Sequence, residues 1–271
     1  MGDIAGIGSL DRERLGKILR ETRGTISVSD ASVILKMNSA NASKFLARLA
    51  KKGWIARVKR GLYVPLSVES RESVAILEDP WVVAARLFEP CYIGGFSAAE
   101  RWGLTEQIYT SIMVMTAKEI RSRKEEIANT TFLLRKISKK SLFGSKTVWR
   151  GQVKVSVSDP SRTVLDLLDD PVLAGGVRPI QDMFQAYLRS SDKDLPLLLD
   201  YTSKLGNGAV FKRLGFLMEH LAPDEKAFIA GCRQGMTTGY ARLDPSRKGG
   251  RLITRWRLWV PDRWVKGDQS D

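Results

Sequence analysis

Residues Ser39 to Lys52, SANASKFLARLAKK, constrain this chain more than any other stretch. At 3.6 residues per turn, Ala42, Phe45, Leu46 and Leu49 fall on one narrow face and predict a side that packs on a core. Ala40, Lys44, Ala47, Arg48 and Lys51 fall on the opposite face, two small residues among three cations. Small side chains let a helix backbone approach a surface closely, and cations suit a surface made of phosphate. Fourteen residues make a rod of roughly 21 Å, slim enough for a DNA major groove about 12 Å wide. The plain alternative is an amphipathic helix whose cationic face is only solvated, the usual fate of a charge run.

The flanking sequence favours the groove. Asp11 to Glu21 places Leu15, Ile18 and Leu19 at helical spacing, and Gly24 ends that helix. Ser27 or Ser29 can cap a second short helix through Leu35, with Ala31, Ile34 and Leu35 inward. A tight Met37-Asn38-Ser39 connection leads to the cationic helix, capped by Asn38 or Ser39 and stopped by Gly53. The pattern then turns to strand over Trp54 to Val58, a Lys59-Arg60-Gly61 tip, and Leu62 to Val64 returning. Three helices and a small cationic hairpin outline a winged helix-turn-helix over residues 1–68. From Ala31 to Val68 there are eight basic residues and no acidic ones, so the cations gather on the helix and the hairpin tip.

Chemistry divides their expected roles. Lys51, Lys52, Arg57, Lys59 and Arg60 suit phosphate contacts, which position without reading sequence. Lys44 and Arg48 lie one turn apart and suit base edges. Asn41 and Ser43 flank them, to read adenine or anchor on phosphate.

The charge of the whole chain agrees. Forty-four Lys+Arg against 30 Asp+Glu give a formal net charge of +14 over 271 residues, which favours a polyanionic partner, nucleic acid before an anionic membrane. Cys91 and Cys232 are far apart and in no metal-ligand spacing, consistent with buried thiols in a reducing cytosol. One histidine, His220, leaves no zinc set and no Ser/His/Asp set. No apolar run reaches the roughly 20 residues of a membrane span, and the N-terminus lacks the basic-then-apolar order of a signal peptide. The expectation is a soluble, cytoplasmic protein.

Residues 67–78 read as a linker to a larger mixed α+β domain over 75–271. Asp79-Pro80 opens a helix with Trp81, Ala84, Ala85 and Phe88 on its apolar face. Ser97 to Glu100 has the form of a capping box, with Gly103 closing that helix. Strands are expected at Ile108 to Thr116, Thr131 to Ile137 and Val148 to Val157. Ser158-Asp159-Pro160 starts a helix through Leu168, and Arg178 to Leu221 reads as two or three helices turning at Gly206-Asn207-Gly208. Arg251 to Val260 alternates and predicts a strand.

Three segments in order, RVKRGLYVPL, YIGGFSAAERWGLTEQ and SVSDPSRTVLDLLDDP, resemble the AbiEi-type antitoxins of bacterial type IV (abortive infection) toxin–antitoxin systems, from about Leu15 to Phe216. The resemblance implies a repressor that binds inverted repeats at its own promoter. It also implies a second domain that counteracts a nucleotidyltransferase toxin encoded beside it, without a stable complex, and it supplies no catalytic residue.

The remaining motifs have plain explanations. Arg162 and Asp166 are spaced for an i,i+4 ion pair; the alternative is that Arg162 faces a phosphate or an acidic partner. Gly94-Gly95 lacks the rest of a phosphate loop. Pro223-Asp224-Glu225-Lys226 lacks the separated carboxylates of a metal nuclease. No catalytic, cofactor-binding or metal residue is expected. Arg251, Arg255 and Arg257, alternating with Leu252, Trp256 and Leu258, read either as an edge strand guarded by charge or as a second basic surface touching DNA or RNA together with Trp256, Trp259 and Trp264. Two other functions stay open: a winged-helix regulator whose second domain senses a ligand or mediates assembly, and a DNA-processing enzyme targeted by the winged helix.

Overall fold

The computed structural model describes residues 6–22, 24–66, 77 and 79–264, the side chains of Lys59 and Arg263 excepted. The architecture is mixed α+β. The chain divides into two compact units: Met1–Ile93, Thr110–Ile137 and Thr147–Ser156 form one, and Gly94–Tyr109, Ser138–Lys146 and Val157–Asp271 the other. The expected linker, 67–78, lies outside the described residues except for Leu77, which bridges Leu66 in antiparallel fashion.

The first unit opens with α1 (Ser9–Glu21), β1 (Ile26–Ser27), α2 (Val28–Ile34), α3 (Ser39–Lys51), β2 (Ile55–Lys59) and β3 (Leu62–Pro65). Of the two serines available to cap α2, Ser27 does so. Its Oγ accepts the Asp30 N–H at 2.9 Å, while the Asp30 carboxylate accepts the Ser27 N–H at 3.0 Å. Asn38 caps α3, its Oδ1 accepting the Asn41 N–H at 2.8 Å. The predicted inner face of α3 is the observed one: Ala42, Phe45, Leu46 and Leu49 are buried with Leu15, Ile18, Ile26, Ala31, Ile55 and Tyr63 in one core cluster. Leu19 departs from expectation and is partly exposed; with Leu15 and Ile18 filling the buried face of α1, it lies at the edge of the stripe. The hairpin reverses at Gly61, whose φ of 76° is the left-handed region a glycine enters without steric cost.

The same unit holds α4 (Pro80–Leu87) and most of a six-stranded sheet made of β4 (Cys91–Ile93), β5 (Ser111–Thr116), β6 (Lys124–Ile127), β7 (Thr130–Lys136), β8 (Ser145–Arg150) and β9 (Val153–Ser158). The strand order is β6-β7-β5-β4-β9-β8, with β5 and β7 parallel. Asp79 caps α4 and Pro80 occupies its first turn, as read. Its buried face is Val82, Val83, Ala84 and Leu87, however, with Trp81 and Ala85 only half-buried. β5 begins at Ser111 rather than Ile108, which is exposed. The single strand expected at Val148 to Val157 is a hairpin, turning at Gly151–Gln152. Val148 and Val155 read as one run because a two-residue reversal leaves the alternation almost intact. β6, with the sequence KEEI, sits at the sheet edge, where charge replaces the apolar alternation that would have revealed it.

The second unit contains α5 (Gly95–Arg101), α6 (Pro160–Asp169), α7 (Val177–Arg189), α8 (Leu195–Leu205), α9 (Gly208–Leu221), α10 (Lys226–Gln234), β10 (Ala241–Arg242), β11 (Arg251–Ile253) and β12 (Leu258–Val260). α6 is its centre, packed by α5, α7, α8 and α9 and buried from Pro160 to Leu168. The expected capping box at Ser97 is not formed: α5 starts at Gly95, so Ser97 lies buried inside the helix. The expected strand Arg251 to Val260 is a second unrecognised reversal. Thr254–Trp256 forms one 3₁₀ turn, Arg257 takes a left-handed conformation, and β11 pairs antiparallel with β12. The interior position Gly215 of α9 is a close approach: a Cβ there would lie 2.2 Å from the Trp256 ring. Trp256, fully buried, fills the space a side chain would take.

Candidate nucleic-acid interface

α3 presents its outer face as the sequence predicts. Ala40, Asn41, Ser43, Lys44, Ala47, Arg48 and Lys51 are all exposed. Arg57 and Arg60 are exposed on the hairpin, while Lys52 is half-buried with its Nζ 3.4 Å from the Gly6 carbonyl. The Lys59 backbone lies in β2, and its side chain lies outside the described residues. α2 and α3 pack together across a four-residue connection in which Lys36 adopts φ 51° and Ser32 Oγ donates to the Met37 carbonyl at 2.6 Å.

Two features of this region escaped the sequence. One is β1, which joins β3 and makes the hairpin the outer part of a three-stranded sheet, order β1-β3-β2. Two residues are too short to show an alternation. The other is Asp11: its carboxylate accepts Arg48 Nη2 at 2.8 Å, and the guanidinium also lies 5.6 Å from the centre of the Phe45 ring. Arg48 is 52% exposed in that pair, so Asp11 restrains it without covering it. A contact 37 positions apart in sequence leaves no local signature.

The second basic surface, read as one alternating strand, is rearranged by the reversal. Arg251 is exposed on β11, Arg255 lies on the 3₁₀ turn, and Arg257 is half-buried at the left-handed corner. Trp256 faces the core rather than solvent, and its Nε1 donates to Glu219 at 2.7 Å. Glu219 also accepts from Arg255 at 2.9 Å and Arg233 at 3.1 Å. Burial pushes its carboxyl up, but the hydrogen bonds from Trp256 and Arg255 and the charges of Arg255 and Arg233 outweigh this and hold it below the usual carboxylate range. A lowered folded value means the contribution to stability is complete above the unfolded value near 4.5 and fades as pH falls through the folded one. The second unit is therefore expected to lose stability between about pH 4.5 and lower pH in a Glu219-dependent way. Thermal melts from pH 6 down to pH 3 should show a flatter decline in Glu219→Gln than in the parent; parallel declines refute the assignment.

Arg162 is turned into the core of its unit. With Asp166 it forms a buried pair, Nε to Oδ1 at 3.0 Å, the side chains 1% and 3% exposed. The guanidinium lies 4.4 Å from the centre of the Phe143 ring. Around it Asp159 caps α6 and accepts the Tyr201 hydroxyl at 3.0 Å, while the hydroxyls of Ser161 and Tyr187 bond at 2.9 Å. SDPSRTVLD is thus a polar centre of the second unit's core. Cys232 is buried, and burial pushes its thiol up to about 12. Cys91 is half-buried rather than buried; burial and Glu89 likewise raise it to about 12. The His220 ring lies tilted against Phe216, centroids 4.8 Å apart, and Glu225 pairs with Lys193 at 2.8 Å. Among the described residues no group of three His, Cys, Asp or Glu side chains converges as a metal site, and no helix is long and apolar enough to cross a membrane.

An exposed cationic helix and a cationic hairpin, raised on a small core of their own, fit the class of transcriptional regulators. Residues 13–65 match the family described as "Transcriptional regulator, AbiEi antitoxin", so this N-terminal segment is similar to the regulators of that family. No curated protein matches the chain significantly.

Proposed function

We propose that this protein is a DNA-binding autorepressor and type IV antitoxin. Residues 1–68 act as a winged helix-turn-helix on inverted repeats of its own promoter, and residues 75–271 counteract a nucleotidyltransferase toxin encoded beside it. The observation that carries this reading is the outer face of α3, where Lys44, Arg48 and Lys51 stand exposed among alanines on a helix whose opposite face is fully committed to the core. The arrangement of three helices with β2 and β3 beside them supports the winged fold.

In this reading α3 enters the major groove, Lys44 and Arg48 reach base edges, and Asn41 and Ser43 contact bases or phosphates at its margins. Lys51, Lys52, Arg57, Lys59 and Arg60 hold phosphates on either side. Asp11 keeps Arg48 extended until a guanine edge replaces the carboxylate. The test is binding of the full chain to the DNA upstream of its own gene and to random duplex. Arg48→Ala should lower the preference for the promoter, and Asp11→Asn should strengthen random binding by releasing the guanidinium. Equal affinity for promoter and random duplex in the parent protein removes the repressor reading. The antitoxin half is tested by co-expressing the adjacent gene, and no rescue of growth by the full chain removes it.

A further inference from the structure

The small sheet of the second unit carries a surface that the proposed repressor activity does not use. β12 is its central strand, paired with β10 on one side and β11 on the other. Along β12, Leu258 and Val260 are buried while Trp259 is exposed, so Trp259 marks the outer face. The register places Arg242 of β10 and Leu252 of β11 directly beside it. Facing residues in such rows stand about 5 Å apart at Cβ. The outer row is therefore cation, indole, aliphatic. Trp259 keeps 39% of its surface exposed, and Tyr240, two residues before Arg242, keeps 65%.

Charge around this row is one-sided. Between Gly235 and Trp264 there are seven basic residues and two acidic ones. Of the two acids, Asp244 is buried, bonded to Ser246 and 3.7 Å from Arg247. Arg255 is held by Glu219. Among the described residues, Arg242, Lys248, Arg251 and Arg257 stand in no ion pair. An exposed indole with a cation beside it has two matching contacts to offer: a π-face for an unpaired base and positive charge for the phosphates next to it. A duplex keeps its base faces stacked inside the helix, and a carboxylate side chain has no ring to stack.

We propose that the outer face of the β10-β12-β11 sheet, centred on Trp259 with Arg242 beside it, binds single-stranded nucleic acid by stacking an unpaired base. The reading is independent of whether α3 enters a DNA groove.

The test is fluorescence anisotropy of the full chain with labelled dT12 and rU12, in excess unlabelled random duplex so that any duplex-binding surface is occupied. Trp259→Ala should weaken binding by about tenfold or more, while Trp259→Phe, which keeps a ring, should stay within about threefold of the parent. Tyr240→Ala, at an exposed position outside the strands, gives a second reading should Trp259→Ala prove poorly folded by near-ultraviolet circular dichroism; it should lose severalfold. A 12-mer of abasic sugar-phosphate should bind the parent weakly and be indifferent to Trp259→Ala. Preference for rU12 or for dT12 identifies the natural strand as RNA or DNA, and either supports the site. Unchanged affinity in both Trp259→Ala and Tyr240→Ala overturns the proposal. Equal affinity of the parent for the abasic strand and dT12 overturns it too, since phosphate attraction alone is then enough. Loss of binding to anionic vesicles in Trp259→Ala, with both oligonucleotides unaffected, overturns it in favour of a lipid surface.

Discussion

Asp166→Ala is expected to destabilise the second unit by about 3–5 kcal/mol, because it leaves the Arg162 guanidinium buried without its carboxylate. Both side chains are almost wholly enclosed, so water cannot replace the lost partner as it does at a surface pair. For a unit of this size that corresponds to a drop in melting temperature of roughly 6–20 °C, read by differential scanning calorimetry. Replacing both partners by apolar residues of similar volume, Arg162→Met with Asp166→Leu, should recover most of the loss, since no charge then remains to be solvated. A single variant that melts within a degree or two of the parent would show that this pair is not enclosed. A double variant as unstable as the single one would show that the surrounding hydrogen bonds of Asp159, Tyr201 and Tyr187 require the ions themselves.

The second large effect concerns salt. Replacing Lys51, Arg57 and Arg60 together by alanine should lower the slope of log affinity against log salt by about 2.7, roughly 0.9 for each phosphate contact removed. The parent should then lose about 40-fold more affinity than the triple variant between 50 and 200 mM salt. All three side chains are exposed, so the folded state should be little changed, which a melt can verify. An unaltered slope would take the α3 face and the hairpin tip out of contact with DNA. A slope lowered on promoter and random duplex alike is the expected signature of phosphate contact, because backbone charges carry no sequence information.

Much of the first unit was legible because its signals are local. The spacing of Ala42, Phe45, Leu46 and Leu49 decides which side of α3 is buried, and so which side carries the cations. Asn38, Asp79 and Asp159 announce helix starts through side-chain oxygens that accept N–H groups two or three residues away. Reversals were less legible. The turns at Gly151–Gln152 and around Arg257 preserve the alternation on either side, so each hairpin resembled one strand. β6 was hidden by its charge and β1 by its length.

What the sequence determined on its own is the periodicity and charge of short segments: the helix faces, the caps, the cationic character of residues 31–68 and the family resemblance. What only the tertiary structure decided is which distant groups share a surface or a core. Asp11 meets Arg48 across the first core, Glu219 gathers Arg233, Arg255 and Trp256, and Arg242 stands beside Trp259. Trp256 and Trp259 are three positions apart, yet one is in the core and the other in solvent. The difference arises because a left-handed residue between them turns the chain, and burial is settled by packing around that turn rather than by the residues' own chemistry.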